Sequence, residues 1–234
     1  MAGMSRDKCG AAAIAGFMKT VELKQPEDVH VIAALCMVRN SVGEECYVAD
    51  EVIKSRAGAR IRIGNTDAEG RMAMADSLCV MKERAVKENL PNCFLYTIAT
   101  LTGHVCVALG DYTAVLDNKV AENAGHGSSF CKAGDLIGDP SEISTVRKED
   151  FEFNRSKGYG EDLLQCNNAP SSRTPRGHQI PAAFLIVASG LDKHDASSSI
   201  PLKYTHLDVA GSAGDLPHPP TGAPLLTLSQ LHLL

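Results

Sequence analysis

The sequence predicts an α/β protein, a layered domain in which helices cover a largely parallel sheet. Three observations point there. Apolar runs of strand length recur at residues 29–38, 93–99 and 202–209. Stretches with helical apolar periodicity lie between them, and Gly, Pro and polar clusters mark the joins. Strands alternating with helices in this way build parallel sheets covered on both faces. The 234 residues, 44% of them apolar, are enough for one large core or two small ones.

Taken in order, residues 9–23 place Ala11, Ala15, Phe17, Met18 and Val21 on an apolar face, which predicts a helix. Pro26 and its charged neighbours end it. Residues 29–38 (VHVIAALCMV) read as a strand buried on both faces, followed by a polar loop over 39–50. Residues 52–63 alternate around Ala57-Gly58 and predict a β-hairpin. A helix follows over 72–87, then a strand over 93–99 (CFLYTIA), an exit loop over 100–103 and a short helix over 104–110. A short strand at 113–116 and a glycine-interrupted helix at 121–136 come next. Residues 138–176 lack periodicity and read as loops with short helices. Pro181 is allowed in the first turn of a helix over 181–191. A last strand at 202–209, a proline-rich stretch and a terminal helix at 225–234 complete the chain.

The bulk numbers exclude some functions. A net charge of −5 with both signs interspersed gives neither a basic footprint for nucleic acid nor a polybasic membrane anchor. No apolar run reaches the roughly 18 residues of a membrane span. Residues 1–8 carry no apolar segment of the secretory type. Eight cysteines with no Cys-x-x-Cys pair, several inside apolar stretches, predict free thiols in a reducing compartment. A cytoplasmic setting follows.

The chemistry concentrates in Asn65-Thr66-Asp67-Ala68-Glu69-Gly70-Arg71. In an extended segment residues i and i+2 project from one side, so Asp67 and Glu69 are expected to aim at one spot. Gly70 allows a sharp turn, and Arg71 offers a planar fork for an anion. Clustered carboxylates suit hard or borderline divalent metals. Each residue also has a plainer use. Asp7 before an alanine-rich helix fits an N-cap, Arg71 a surface ion pair, and Met4 core filling. His206 and Asp208, on an apolar strand, fit a satisfied structural pair. The Asp67 and Thr100 loops both leave strands at their carboxyl ends, where ligands bind in open α/β sheets.

The heptapeptide NTDAEGR, with Met4-Ser5-Arg6-Asp7, Ala99-Thr100-Leu101-Thr102-Gly103 and His206-Leu207-Asp208-Val209-Ala210-Gly211 in order, resembles the leucyl (cytosol) aminopeptidase family. Ser5-Arg6-Asp7-Lys8, Arg39-Asn40-Ser41-Val42-Gly43, Thr100-Leu101-Thr102-Gly103-His104 and Arg176-Gly177-His178-Gln179 are similar to its divergent animal members. The resemblance implies a three-layer α/β/α fold with a central, mostly parallel mixed sheet. It implies that residues 1–234 are the C-terminal catalytic domain, lacking its first elements. The implied activity is release of N-terminal residues from peptides at a dinuclear zinc or manganese site. Asp7, Asp67 and Glu69 match the metal ligands, and Asp67 would also offer its backbone oxygen. Arg71 matches the arginine that holds a bicarbonate acting as general base. Met4 matches a residue lining the pocket for the first side chain. Thr100, Leu101 and Gly103 match the loop that hydrogen-bonds the substrate backbone. A homohexamer is implied too. Family members carry a further bridging aspartate and two lysines upstream of the Met4–Asp7 segment, and nothing in these 234 residues matches them. A non-catalytic, aminopeptidase-like assembly protein is therefore the alternative.

Overall fold

The computed structural model describes residues 3–40, 42–90 and 92–234. The hairpin forms as the alternation predicts: β1 (Val52–Lys54) pairs antiparallel with β2 (Arg60–Arg62), and β2 continues in parallel to β6 (Leu163–Leu164). The main sheet runs β3 (Phe94–Ala99), β7 (Lys203–Asp208), β4 (Thr113–Asp117), β5 (Ser141–Ile143). β3 and β7 are parallel, β4 and β5 are parallel, and β4 meets β7 antiparallel. The sheet is thus mixed, with one antiparallel join.

Period-two alternation sorts the sheet's side chains into two layers of contact. Tyr96, Ile98, Val115 and Leu207 face α1 (Cys9–Lys24), α5 (His126–Ile137) and α8 (Leu225–Leu233), through Phe17, Phe130 and Leu228. Leu95 and Tyr204 face α2 (Glu69–Lys87) and α7 (Gln179–Ala188), through Leu78, Phe184 and Leu185. Ala114 and Leu116 pack with Ala182 of α7 and Val105 of α3 (Gly103–Leu109) on that second face. Helices on both faces of a sheet make a three-layer α/β/α core. Two short helices, α4 (Lys119–Asn123) and α6 (Lys148–Phe153), complete the set among the described residues. α4 and α5 are the halves of the glycine-interrupted helix, broken where Gly125 takes φ 70°.

Three expectations are corrected. Residues 29–38 form no strand. Val31 and Cys36 pack on the two cores, but the one backbone bond within the stretch is Met37 N–H to Leu35 O. A strand is defined by its ladder, and apolar β-branched composition cannot supply the neighbour that a ladder needs. Residues 65–71 are not extended, because α2 begins at Glu69 and Asp67 sits in the turn before it. The loop-rich 138–176 stretch contributes β5 and β6, strands too short to leave a periodic signal. No disulfide is present among the described residues, and no helix there is long and apolar enough to cross a membrane.

Candidate active site

The candidate site residues all line one cavity of about 1970 Å³: Met4, Asp7, Asp67, Glu69, Arg71, Thr100, Leu101 and Gly103. They arrive from separate parts of the chain. Met4 belongs to a short 3-10 turn at Met4–Arg6, and Asp7 follows it. Arg6 pins this turn by donating to Gly214 O at 2.9 Å and pairing with Asp215 at 2.9 Å. Asp7 does not cap α1; Lys8 holds that position without a side-chain bond. The Asp7 carboxylate instead accepts from Thr100 Oγ1 at 2.5 Å. That bond joins a candidate metal ligand to the candidate substrate loop.

The NTDAEGR segment is shaped by a turn. Asn65 Oδ1 accepts from Asp67 N–H at 3.0 Å, and Asn65 O accepts from Ala68 N–H at 3.1 Å. The fully buried Gln165 clamps this turn from across the chain. Its Oε1 accepts from Gly64 N–H (3.1 Å) and Asn65 N–H (3.0 Å), and its Nε2 donates to Ala68 O (2.9 Å). Glu69 then opens α2, where a carboxylate suits the positive end of the helix dipole. Gly70 serves close packing rather than a sharp turn: a Cβ there would stand 3.0 Å from Leu101 Cδ1.

Arg71 is 4% exposed and donates from Nη1 to Gln165 O at 3.0 Å, while its Nε has no partner in the protein. Glu69 Oε2 and the Tyr47 hydroxyl are likewise buried and unpartnered. Burial first, then the negative charges of Asp7 and Asp67, raise the Glu69 carboxyl above its usual range. Burial and the Glu69 charge push the Tyr47 phenol to about 12. Buried polar atoms left without partners are costly, and a cluster of them in a cavity marks where a ligand would bind.

The Thr100–Gly103 loop leaves the carboxyl end of β3 and enters α3. Leu101 N–H donates to Asp208 Oδ1 (3.1 Å), Thr102 Oγ1 donates to Asp208 Oδ2 (2.7 Å), and Gly103 N–H donates to Ser171 Oγ (3.0 Å). Gln165, Tyr47, Ser171 and Asp208 are not among the site residues that the sequence points to. Gln165, Tyr47 and Ser171 lie in stretches without periodicity, where no pattern marks a buried side chain. Asp208 does leave a signal, since a carboxylate on an apolar strand must find donors.

No group of three or more His, Cys, Asp or Glu side chains among the described residues is close enough to hold a metal ion. The donor set is nevertheless of the right chemistry for one hard divalent cation. Glu69 Oε2 is buried without a partner and feels the charges of Asp7 and Asp67, both of which are exposed. Two ions sharing bridging carboxylates need more ligands than these three residues provide.

The architecture and the cavity define a three-layer α/β/α scaffold whose candidate site residues line one cavity that runs past the carboxyl end of β3. The catalytic domain of the cytosol aminopeptidase family matches residues 1–229, and the chain belongs to that family. It is 47% identical over 228 residues to the Caenorhabditis elegans protein named "Putative aminopeptidase W07G4.4", covering 97% of this chain and 43% of that protein. It is 41% identical over 114 residues to the "Probable cytosol aminopeptidase" of Persephonella marina, covering 49% of this chain and 22% of that one. A mutant of tomato leucine aminopeptidase shares the fold, with a TM-score of 0.74 at 24% identity over 96% of this chain and 40% of the tomato chain. The chain thus spans less than half the length of these relatives.

Proposed function

We propose that residues 1–234 are the C-terminal catalytic domain of a metal-dependent aminopeptidase that releases N-terminal residues from peptides. The observation that carries this reading is the convergence on one cavity of residues as distant in sequence as Met4 and Gly103. Asp7, Asp67 and Glu69 would hold divalent metal, zinc or manganese, and the dinuclear arrangement needs ligands besides them. Metal held there supplies Lewis acidity and a water made more acidic. Arg71, with its free Nε, would hold bicarbonate or another small oxyanion beside the carboxylates. Leu101 and Gly103 have their N–H groups engaged by Asp208 and Ser171, which leaves the loop's carbonyl oxygens to accept from a substrate's amine or amide. Met4, 41% exposed, would meet the first side chain. A homo-oligomer and a cytoplasmic setting go with this reading.

One observation favours a second reading. The carboxylates do not gather into a metal-holding group among the described residues, which suits a non-catalytic aminopeptidase-like assembly protein. A leucyl-amide assay with added manganese or zinc separates the two. It is run on these 234 residues alone and within a polypeptide of the relatives' length. Hydrolysis that falls on the order of 10²-fold or more in Asp67→Asn or Glu69→Gln is expected in the longer form. An inert longer form, with its metal bound, leaves the assembly role in place of the enzyme.

A further inference from the structure

Beneath the Thr100–Gly103 loop runs a ladder of buried polar side chains on the α2/α7 face of the sheet. Thr97 pairs with His206 across β3 and β7, and Ala99 with Asp208. Thr97 Oγ1 bonds the Tyr204 hydroxyl at 2.7 Å and His206 Nδ1 at 2.8 Å. Asp208 ends the ladder. It is fully buried, yet no cation among the described residues bonds its carboxylate. Its partners are donors at the top of the sheet: Leu101 N–H, Thr102 Oγ1 and Ala210 N–H, at 3.1, 2.7 and 3.2 Å, with the Thr102 N–H beside them.

A buried charge is tolerated only where fixed donors replace water. Here all the donors but Ala210 N–H belong to the loop, so the loop's position and the Asp208 charge stabilise each other. Thr102 does two jobs at once. Its hydroxyl donates to Asp208 and accepts from Val105 N–H at 3.4 Å as the N-cap of α3. The hydroxyl of Thr100, two residues earlier, reaches Asp7. Asp208 therefore sits at one end of a chain of bonds whose other end is a candidate metal ligand. Its charge is also felt by Arg71.

We infer that Asp208 is a positioning residue of the proposed aminopeptidase, holding the 100–103 loop in the register that presents its carbonyl oxygens to a peptide and Thr100 to Asp7. This rests on the peptidase reading of the site, and it deepens that reading by naming what sets the substrate loop. Asp208 is fully buried and does not line the cavity, so it would act through the loop. Removing its charge should loosen the loop while the core stays folded, because asparagine has nearly the same shape and keeps one acceptor.

The test compares wild type with Asp208→Asn, Thr102→Val and Thr102→Ser in the full chain, reading backbone hydrogen exchange and peptide hydrolysis separately. In Asp208→Asn and Thr102→Val, exchange at Leu101 should speed up by about tenfold or more, the scale of one lost charge-assisted bond. Exchange in β4 and α7 should stay as in wild type, and Thr102→Ser should restore the slow rate. In an active form, KM for a dipeptide amide should rise about tenfold, more than kcat falls, as expected where substrate positioning is lost. Unchanged exchange at Leu101 in Asp208→Asn overturns the inference whatever the activity. Faster exchange with unchanged KM in an active enzyme also overturns it, since the loop would then not be set for substrate. Faster exchange in Asp208→Asn, where the longer form with its metal bound proves inert, keeps Asp208 as the loop's anchor and defeats the peptidase reading instead.

Discussion

Residues 180–188 (IPAAFLIVA) and residues 29–38 (VHVIAALCMV) are near twins in composition and opposites in fate. The first lies in α7, where Ala182, Ala183, Phe184 and Leu185 are all 0% exposed. The second leaves Leu35 49%, Met37 60% and Val38 61% exposed. A helix satisfies its own backbone, so its apolar surface needs only something to pack on, and α2 and α6 provide it. An extended chain must also find partners for its N–H and C=O groups, and residues 29–38 have none among the described strands. Hydrophobicity thus fixes what a segment gains by burial, while backbone pairing decides whether an extended one can collect it. The cavity that holds the candidate site opens along this same stretch and along β3.

The largest expected difference between the two regions is in stability. Phe184→Ala should cost about 3–5 kcal/mol by leaving a void in the main core, whereas Val38→Ala should stay within about 0.5 kcal/mol. Urea unfolding of both variants measures it, and comparable losses would show that residues 29–38 are packed after all.

Acid should act next, and on the packed side. Burial depresses His178 to about 4, His206 to about 3 and His232 to about 4. These imidazoles lie below the ordinary value of about 6.5, so the unfolded chain binds protons first. Their contribution is complete above pH ~6.5 and is lost as pH falls toward the folded values. Asp208, pushed up by burial to about 6, works the other way and regains stability as pH falls below that value. His104 is lowered by burial as well, while Glu69 and Asp192 are raised alongside Asp208, and the four histidines outweigh the three carboxyls to give a net loss. The melting temperature should drop between pH 7 and pH 5, and His206→Gln should flatten the slope. A melting temperature that holds or rises over that range would contradict the burial of these rings.

A smaller effect belongs to the open side. The apolar side chains of residues 35–38 should bind a hydrophobic dye, and Met37→Glu with Val38→Lys should cut the fluorescence without moving the melting temperature. Fluorescence unchanged in that double variant would place the dye elsewhere. Least of all, Lys19→Ala should change stability by less than about 0.5 kcal/mol, because its pair with Glu22 is solvent-exposed on α1.

Much of the molecule is legible in the sequence where local pattern and tertiary outcome agree. The hairpin, α1, β3, β7 and α8 follow from period and punctuation, and the NTDAEGR heptapeptide alone points to the cavity. The rest depends on partners. The strand expected at 29–38 lacks a neighbour. Asp67 and Glu69 share a turn and a helix start instead of an extended strand, because Gln165 holds the Asn65–Ala68 turn from a hundred residues away. No periodicity announces such a glutamine. The satisfied pair expected of His206 and Asp208 does not form: Asp208 is satisfied by Leu101, Thr102 and Ala210, whereas His206 bonds Thr97 and leaves its buried Nε2 without a partner. That two of the Asp208 donor residues, Leu101 and Thr102, belong to the Thr100–Gly103 loop is a matter of tertiary contact, which no local pattern encodes.

The central claim is that Asp7, Asp67 and Glu69 form one cation site beside Arg71. Manganese binding to the 234-residue chain, followed by electron paramagnetic resonance against free ion, tests it most directly. The account predicts one weakly held ion per chain, lost in both Asp67→Asn and Glu69→Gln and kept in Lys19→Ala. No bound ion, or binding that survives both carboxylate substitutions, would contradict it, and so would two tightly retained ions on wild type.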